Sequence, residues 1–140
     1  MTRRAASVVV TDERGRVLLI HEDYGSHRWG LPGGMHEPGE SIEETAVREA
    51  KEETNLDVEL GDLIGEYTIV SAAGAELLDV SVFTATILGG DLRPNEGEIA
   101  EVGWFDPNDL PHTMTDVGPR AIADHVRGER GVRRRVVSAH

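Results

Sequence analysis

The chain has 140 residues, no cysteine, 16 glycines and a hydrophobic fraction of 39%. That composition fits one ordinary globular domain of the usual ~100–200 residues and excludes a disulfide scaffold or a thiolate zinc site. Fourteen basic against 26 acidic residues give a net charge of −12, the wrong sign for a protein whose main partner is a nucleic-acid polymer. An acidic protein can still act on phosphates when a divalent cation stands between its carboxylates and the substrate. The missing cysteines suit a reducing compartment, so a cytoplasmic location is expected. The apolar stretch after Arg3-Arg4 runs only from Ala5 to Val10 before Asp12 and Glu13 end it. That is too short for an export signal or a membrane span, and it reads as a first strand.

In chain order, residues 7–11 and 16–21 are β-branched or aliphatic runs around Asp12-Glu-Arg-Gly15, a spacing that predicts a hairpin. Residues 22–40 carry Gly25, Gly30, Pro32, Gly33, Gly34, Pro38 and Gly39 and predict a loop with a short extended piece at 29–31. Residues 41–54 predict a helix, opened by Ser41 and Glu44 in the spacing of a capping box. Strands are expected at 56–60, 63–72, 77–88 and 100–105. Asp106-Pro107 should begin a short helical turn, and a second helix is expected over 117–127. Residues 1–130 are thus expected to form a single domain, with 131–140 a loosely held, flexible tail. The order of elements predicts an α/β (α+β) fold, an α/β/α sandwich around a mixed, mostly antiparallel sheet.

The chemistry lies between Gly33 and Leu56. Counting about 100° per residue, Ile42, Ala46, Ala50 and Val47 define a buried stripe of the first helix. Glu49, Glu52 and Glu53 share one flank against its edge. Arg48 points to about 240°, away from Glu49 and Glu53. Like charges three and four residues apart destabilise a helix, so something positive should sit among them. All-oxygen ligation without histidine or thiolate favours Mg²⁺ or Mn²⁺. Gly33-Gly34 removes side chains where the backbone must come close to a ligand or ion.

The segment Gly34 to Leu56 resembles the Nudix box, G-x5-E-x7-R-E-U-x-E-E-x-G-U, with U a bulky aliphatic residue. Gly34, Glu40, Arg48, Glu49, Glu52, Glu53 and Leu56 match it position by position. Ala50 stands where a larger aliphatic is usual, and Asn55 replaces the last glycine, as the next best residue for a left-handed helix end. The approach Trp29-Gly-Leu-Pro-Gly-Gly34 and the later Glu101-Val-Gly-Trp104-Phe105 are similar to the family as well. The resemblance implies a Nudix hydrolase that cleaves a diphosphate linkage in a nucleoside diphosphate derivative with Mg²⁺ or Mn²⁺. It implies Glu52 and Glu53 as main metal ligands, Glu49 as ligand or base, and the Gly33 carbonyl as a further oxygen. Arg48 would orient Glu49, while Gly34 and Glu40 would support the loop–helix junction.

Some members draw another glutamate from the loop before the last strand; Glu96 is the preferred candidate here and Glu98 the second. The markers of ADP-ribose, dinucleoside polyphosphate and NADH subclasses are absent downstream of the box. The short chain resembles members acting on nucleoside triphosphates, oxidised ones included. The alternative is a Nudix-like module that binds or senses a nucleotide without turnover. Tyr24, Trp29 and Tyr67 are candidates to stack on a base, though each fits a packing role better, and His36 reads as an exposed loop histidine. The expected partner is a small nucleotide rather than a polymer or a membrane. A homodimer is left open, as is the role of the arginines from Arg127 to Arg135.

Overall fold

The computed structural model describes residues 2–23, 25 and 27–139; Tyr24 lies outside them. Its elements are β1 (Arg3–Val10), β2 (Val17–Glu22), β3 (Trp29–Gly30), β4 (Gly33–Met35), α1 (Ile42–Thr54), β5 (Asp57–Val70), β6 (Glu76–Gly89), β7 (Ile99–Phe105), α2 (Gly118–Val126) and β8 (Val132–Val137). A mixed five-stranded sheet has the order β4-β1-β6-β5-β8, and a three-stranded one the order β3-β2-β7. Among the described residues no helix is long and apolar enough to cross a membrane.

Strand alternation divides the core in two. On β1, Ala6, Val8 and Val10 join Ala46 and Ala50 of α1, with Phe83 and Ala85 of β6. Ala5 and Val9 point the other way, into the core that holds Tyr67, Val82 and the α2 residues Ala121 and Ile122. Each helix therefore lays its apolar stripe on its own side of the large sheet, and the expected α/β/α layering around a mixed sheet holds. Leu18 of β2 packs with the α1 side and Leu19 with the α2 side, which ties the small sheet to both.

Four expectations are corrected. The turn at Asp12–Gly15 forms, with Asp12 N donating to the Arg16 carbonyl, but β1 and β2 do not pair as a hairpin beyond the single bridge Thr11–Val17. Both edges of β1 are taken, antiparallel by β4 and parallel by β6, so β2 turns away to β3 and β7. The two strands expected at 56–60 and 63–72 are one strand, β5, whose register shifts between Leu60 and Leu63. Gly61-Asp62 is a bulge there, with Asp62 N donating to Thr84 Oγ1 at 2.8 Å. Asp106 closes a turn rather than a helix, its carboxylate accepting from Asn108 N. Finally, residues 132–137 are not a loose tail but strand β8, parallel to β5 from Gly65–Val132 to Val70–Val137. Val136 is buried in the α2-side core, and Val132 packs against it.

Helix α1 begins where the capping box places it. Ser41 Oγ accepts from Glu44 N at 3.0 Å and Glu44 Oε1 accepts from Ser41 N at 2.7 Å, so two donors left free by the first turn are satisfied. Its C-cap is Asn55 in the left-handed region, φ 65°. Val47, expected in the buried stripe, is 37% exposed, because it lies at the stripe's edge over a shallow hollow beside Leu60 and Gly61.

Candidate active site

The loop after β3 leads into β4, which pairs with β1 so that Gly33 lies opposite Ser7 and Gly34 opposite Ala6. This holds the two glycines beneath α1. Gly33 N donates to Glu53 Oε1 at 2.7 Å. A Cβ on Gly34 would fall on the Glu49 carboxylate, 2.6 Å from Oε2, so the absence of a side chain there makes room for that carboxylate. Gly33, Gly34, Glu49, Glu52, Glu53 and Glu98 line one open cleft of about 530 Å³, within the size range of small-ligand sites.

Arg48 organises the rim. Its Nε and Nη2 grip the Glu40 carboxylate at 3.0 and 2.8 Å, and Nη2 also donates to the Met35 carbonyl at 3.0 Å. Nη1 reaches Glu49 Oε1 at 2.8 Å and Glu52 at 3.3 Å. The wheel angle that pointed Arg48 away from Glu49 was misleading, since a side chain of that length spans to its sequence neighbour. Glu40 also accepts from Thr45 Oγ1 at 2.7 Å. The Arg48 guanidinium, seconded by Thr45, holds the Glu40 carboxyl down at about 2, and the same ion pairs keep Arg48 firmly charged. His36 is not a bare loop histidine: its Nε2 lies 2.6 Å from the Glu40 carbonyl oxygen.

The carboxylates deeper in the cleft behave oppositely. Glu53 is only 5% exposed. Burial pushes its carboxyl up to about 8 against the Gly33 N–H, and the charges of Glu49, Glu98 and Glu22 add to the rise. Burial also raises Glu49, with Arg48 opposing and the charges of Glu52 and Glu98 reinforcing it. Among the described residues the ion pairs of the site belong to Arg48, which takes Glu37, Glu40, Glu49 and Glu52; Glu53 and Glu98 stand outside them. Among the described residues no three His, Cys, Asp or Glu side chains are gathered tightly enough to hold an ion as they stand. The donor set nevertheless fits a hard cation: it is all oxygen, strongly acidic, and includes the buried Glu53 carboxylate, which has no positive partner among the described residues.

Of the two loop glutamates, the structure brings Glu98 to the cleft. Glu96, the preferred candidate, sits instead in a neighbouring hollow with Lys51, Arg93 and Asn95. The reason is the turn at 95–98, where Glu98 N and Ile99 N both donate to the Asn95 carbonyl and Gly97 takes φ 95°, turning the chain between the two side chains. Glu22, at the end of β2, was not singled out from sequence, since it belongs to no motif. Two of the aromatic candidates are packing residues. Tyr67 is fully buried, with its hydroxyl 2.7 Å from Asp124, and Trp29 is stacked on His21 at 4.7 Å with Phe105 against it edge-on.

The NUDIX domain family matches residues 1–125. A Bacillus subtilis protein provisionally named 8-oxo-dGTP diphosphatase is 35% identical over 132 residues, covering 94% of this chain and 85% of its own length. An ADP-ribose pyrophosphatase from Methanocaldococcus jannaschii is 32% identical over 124 residues, covering 87% of this chain and 72% of its own. In three dimensions, a NUDIX hydrolase from Nitrosomonas europaea superposes with a TM-score of 0.81 at 24% identity, over 94% of this chain and 93% of that one. With the box glutamates ranged along α1 above Gly33 and Gly34, and with relatives of this similarity across nearly its whole length, the chain belongs to the Nudix hydrolase family.

Proposed function

We propose that this Nudix hydrolase cleaves a diphosphate linkage in a small nucleoside diphosphate derivative, a nucleoside triphosphate (oxidised ones included) or an ADP-ribose-like conjugate, with Mg²⁺ or Mn²⁺. The observation that carries the reading is the meeting of Glu49, Glu52 and Glu53, from one flank of α1, with Glu98 across a cleft floored by Gly33 and Gly34. The names of the Bacillus and Methanocaldococcus relatives support the substrate class, since both an oxidised triphosphate and ADP-ribose contain the linkage.

Each side chain has a defined part in this reading. Glu52 and Glu53, with the Gly33 carbonyl, are the residues to hold the cation, and Glu98 adds a carboxylate from the opposite wall. When bound, the ion supplies positive charge that neutralises phosphate oxygens and polarises water. Arg48 keeps Glu49 aimed through the 2.8 Å hydrogen bond. Glu49, whose carboxyl is raised by burial, is suited to accept the proton of the attacking water. Glu40 acts through Arg48, which it anchors at the start of the helix.

The test is a panel of nucleoside triphosphates, 8-oxo-dGTP, ADP-ribose and nucleotide sugars incubated with the protein and Mg²⁺ or Mn²⁺, with phosphate, pyrophosphate and nucleotide products separated. Turnover of at least one compound, abolished by chelator, is expected. A protein that binds these nucleotides but cleaves none would overturn the reading.

Gly34→Ala probes the geometry. The backbone there is open to any L-residue, but the new methyl lands on the Glu49 carboxylate. Turnover should fall by roughly 10–100-fold, as for a misplaced reacting group, while the melting temperature moves little. Steady-state kinetics beside a thermal melt separate the two effects.

A further inference from the structure

Glu37, Glu49, Glu52, Glu53 and Glu98 line the cleft, and a sixth glutamate, Glu22, acts on it from the end of β2. On β2, the alternate residues Leu18, Ile20 and Glu22 share one face. The register shift opposite His21 and Glu22 leaves that alternation intact, because the pairing passes from His21–Glu101 to Glu22–Ile99 and the unmatched residue is Ala100 on β7. Leu18 packs in the same core as Ala46 and Ala50 of α1, and Glu53 follows on that helical stripe. The apolar layer between β2 and α1 thus ends in a pair of carboxylates, one from each element. Glu22 is half-buried, and its charge acts on Glu53. The next residue is tied to the loop that carries Glu98, Asp23 N donating to the Glu98 carbonyl at 3.0 Å, so the backbone brings the end of β2 against that loop. The Glu22 carboxylate accepts a long hydrogen bond from Arg28 N, at 3.4 Å. Facing carboxylates at a sheet end raise each other's energy, and Arg48 is already engaged with Glu40, Glu49 and Glu52.

We infer that Glu22 is a cation ligand of this enzyme, closing the metal site from the β2 wall together with Glu53 and Glu98. The inference rests on the metal-dependent reading above and adds a residue that the Nudix box does not contain. Glu22 from β2 and Glu53 from α1 would hold the ion between the two elements. Glu22 also separates this chain's requirement from the box alone: a variant with every box residue intact should bind metal less well.

The test is direct Mn²⁺ binding, read from the loss of the free-ion electron paramagnetic resonance signal, on the full chain as wild type, Glu22→Gln, Glu22→Asp and Glu52→Gln. Thermal melts in chelator verify that each variant folds. Wild type should bind Mn²⁺, Glu22→Gln should bind at least roughly tenfold more weakly or lose a whole ion per chain, and Glu22→Asp should recover part of the loss. Glu52→Gln should also weaken binding. If Glu52→Gln weakens binding while Glu22→Gln superposes on wild type, the role of Glu22 is overturned and the metal-dependent reading stands. If folded wild type binds no Mn²⁺, both fall together.

Discussion

Glu53→Gln should lose turnover by on the order of 10³-fold and, in the absence of divalent cations, should melt at a higher temperature than wild type. The two effects have one cause. Glu53 is buried, and its folded-state carboxyl is pushed up to about 8 from an ordinary value of 4.5. Between those pH values the folded protein holds a proton that the unfolded chain has released, so the stability of the metal-free protein falls as pH rises from about 4.5 to about 8 and levels off above. At pH 8 the penalty is on the order of 4 kcal/mol. Glutamine keeps an oxygen for the Gly33 N–H, has no charge to bury, and escapes the penalty. Melting curves of both proteins in chelator at pH 5, 6.5 and 8 should converge at the acid end and separate toward pH 8. Adding Mg²⁺ should raise wild type and leave the variant unmoved, since a ligand that binds the native state stabilises it. A wild type whose chelated stability is flat over this range, or a variant that still turns over, would refute the assignment of Glu53 as the buried carboxylate that the cation neutralises.

This opposition of stability and activity explains why the helix was the most legible part of the chain. Its signals are local: Ser41 and Glu44 three residues apart, Asn55 at the left-handed end, and carboxylates crowded on one flank against ordinary helical charge patterning. A glutamate cluster that works against folding stands out as a departure from what a solvated helix would carry. Sheet topology was not legible in the same way. The parallel pairs β1–β6 and β5–β8 join residues far apart in sequence, and no local pattern specifies which edge a strand will take. Hence the hairpin that β1 and β2 did not make. The choice between Glu96 and Glu98 turned on the conformation of one short turn around Gly97. Glu22 had no sequence signal, because its position depends on which strand lies beside which helix. Strand β8 was misread for a further reason: Val132, Arg134 and Val136 alternate inward, and an inward arginine looks like a break in the apolar pattern unless its partner, ten residues earlier on α2, is known.

That partner gives the second large effect. Asp124 is fully buried and accepts from Arg134 Nε and Nη2, both at 2.7 Å, from the Tyr67 hydroxyl at 2.7 Å and from Arg127 at 3.1 Å. The Arg134 hydrogen bonds, against burial and with help from Tyr67 and Arg127, hold its carboxyl at about 2. One carboxylate thereby joins α2, β5 and β8. Asp124→Ala should cost about 3–5 kcal/mol, because it strands the Tyr67 hydroxyl and a charged guanidinium without their acceptor. For a chain of this size that corresponds to a fall in melting temperature on the order of 10 °C. Amide hydrogen exchange should rise first in residues 132–137, the strand that loses its inward anchor. Turnover below the transition should be nearly unchanged, since this network lies on the sheet face opposite α1 and the acidic cleft. The double variant Asp124→Leu with Arg134→Met separates a lost ion pair from a lost fold. Removing both charges leaves only the exposed Arg127 guanidinium, which water can solvate, so the double variant should recover a substantial part of the stability lost by Asp124→Ala. If it melts lower still, the energy lies in the shape of the Asp124 pocket rather than in the charge it neutralises.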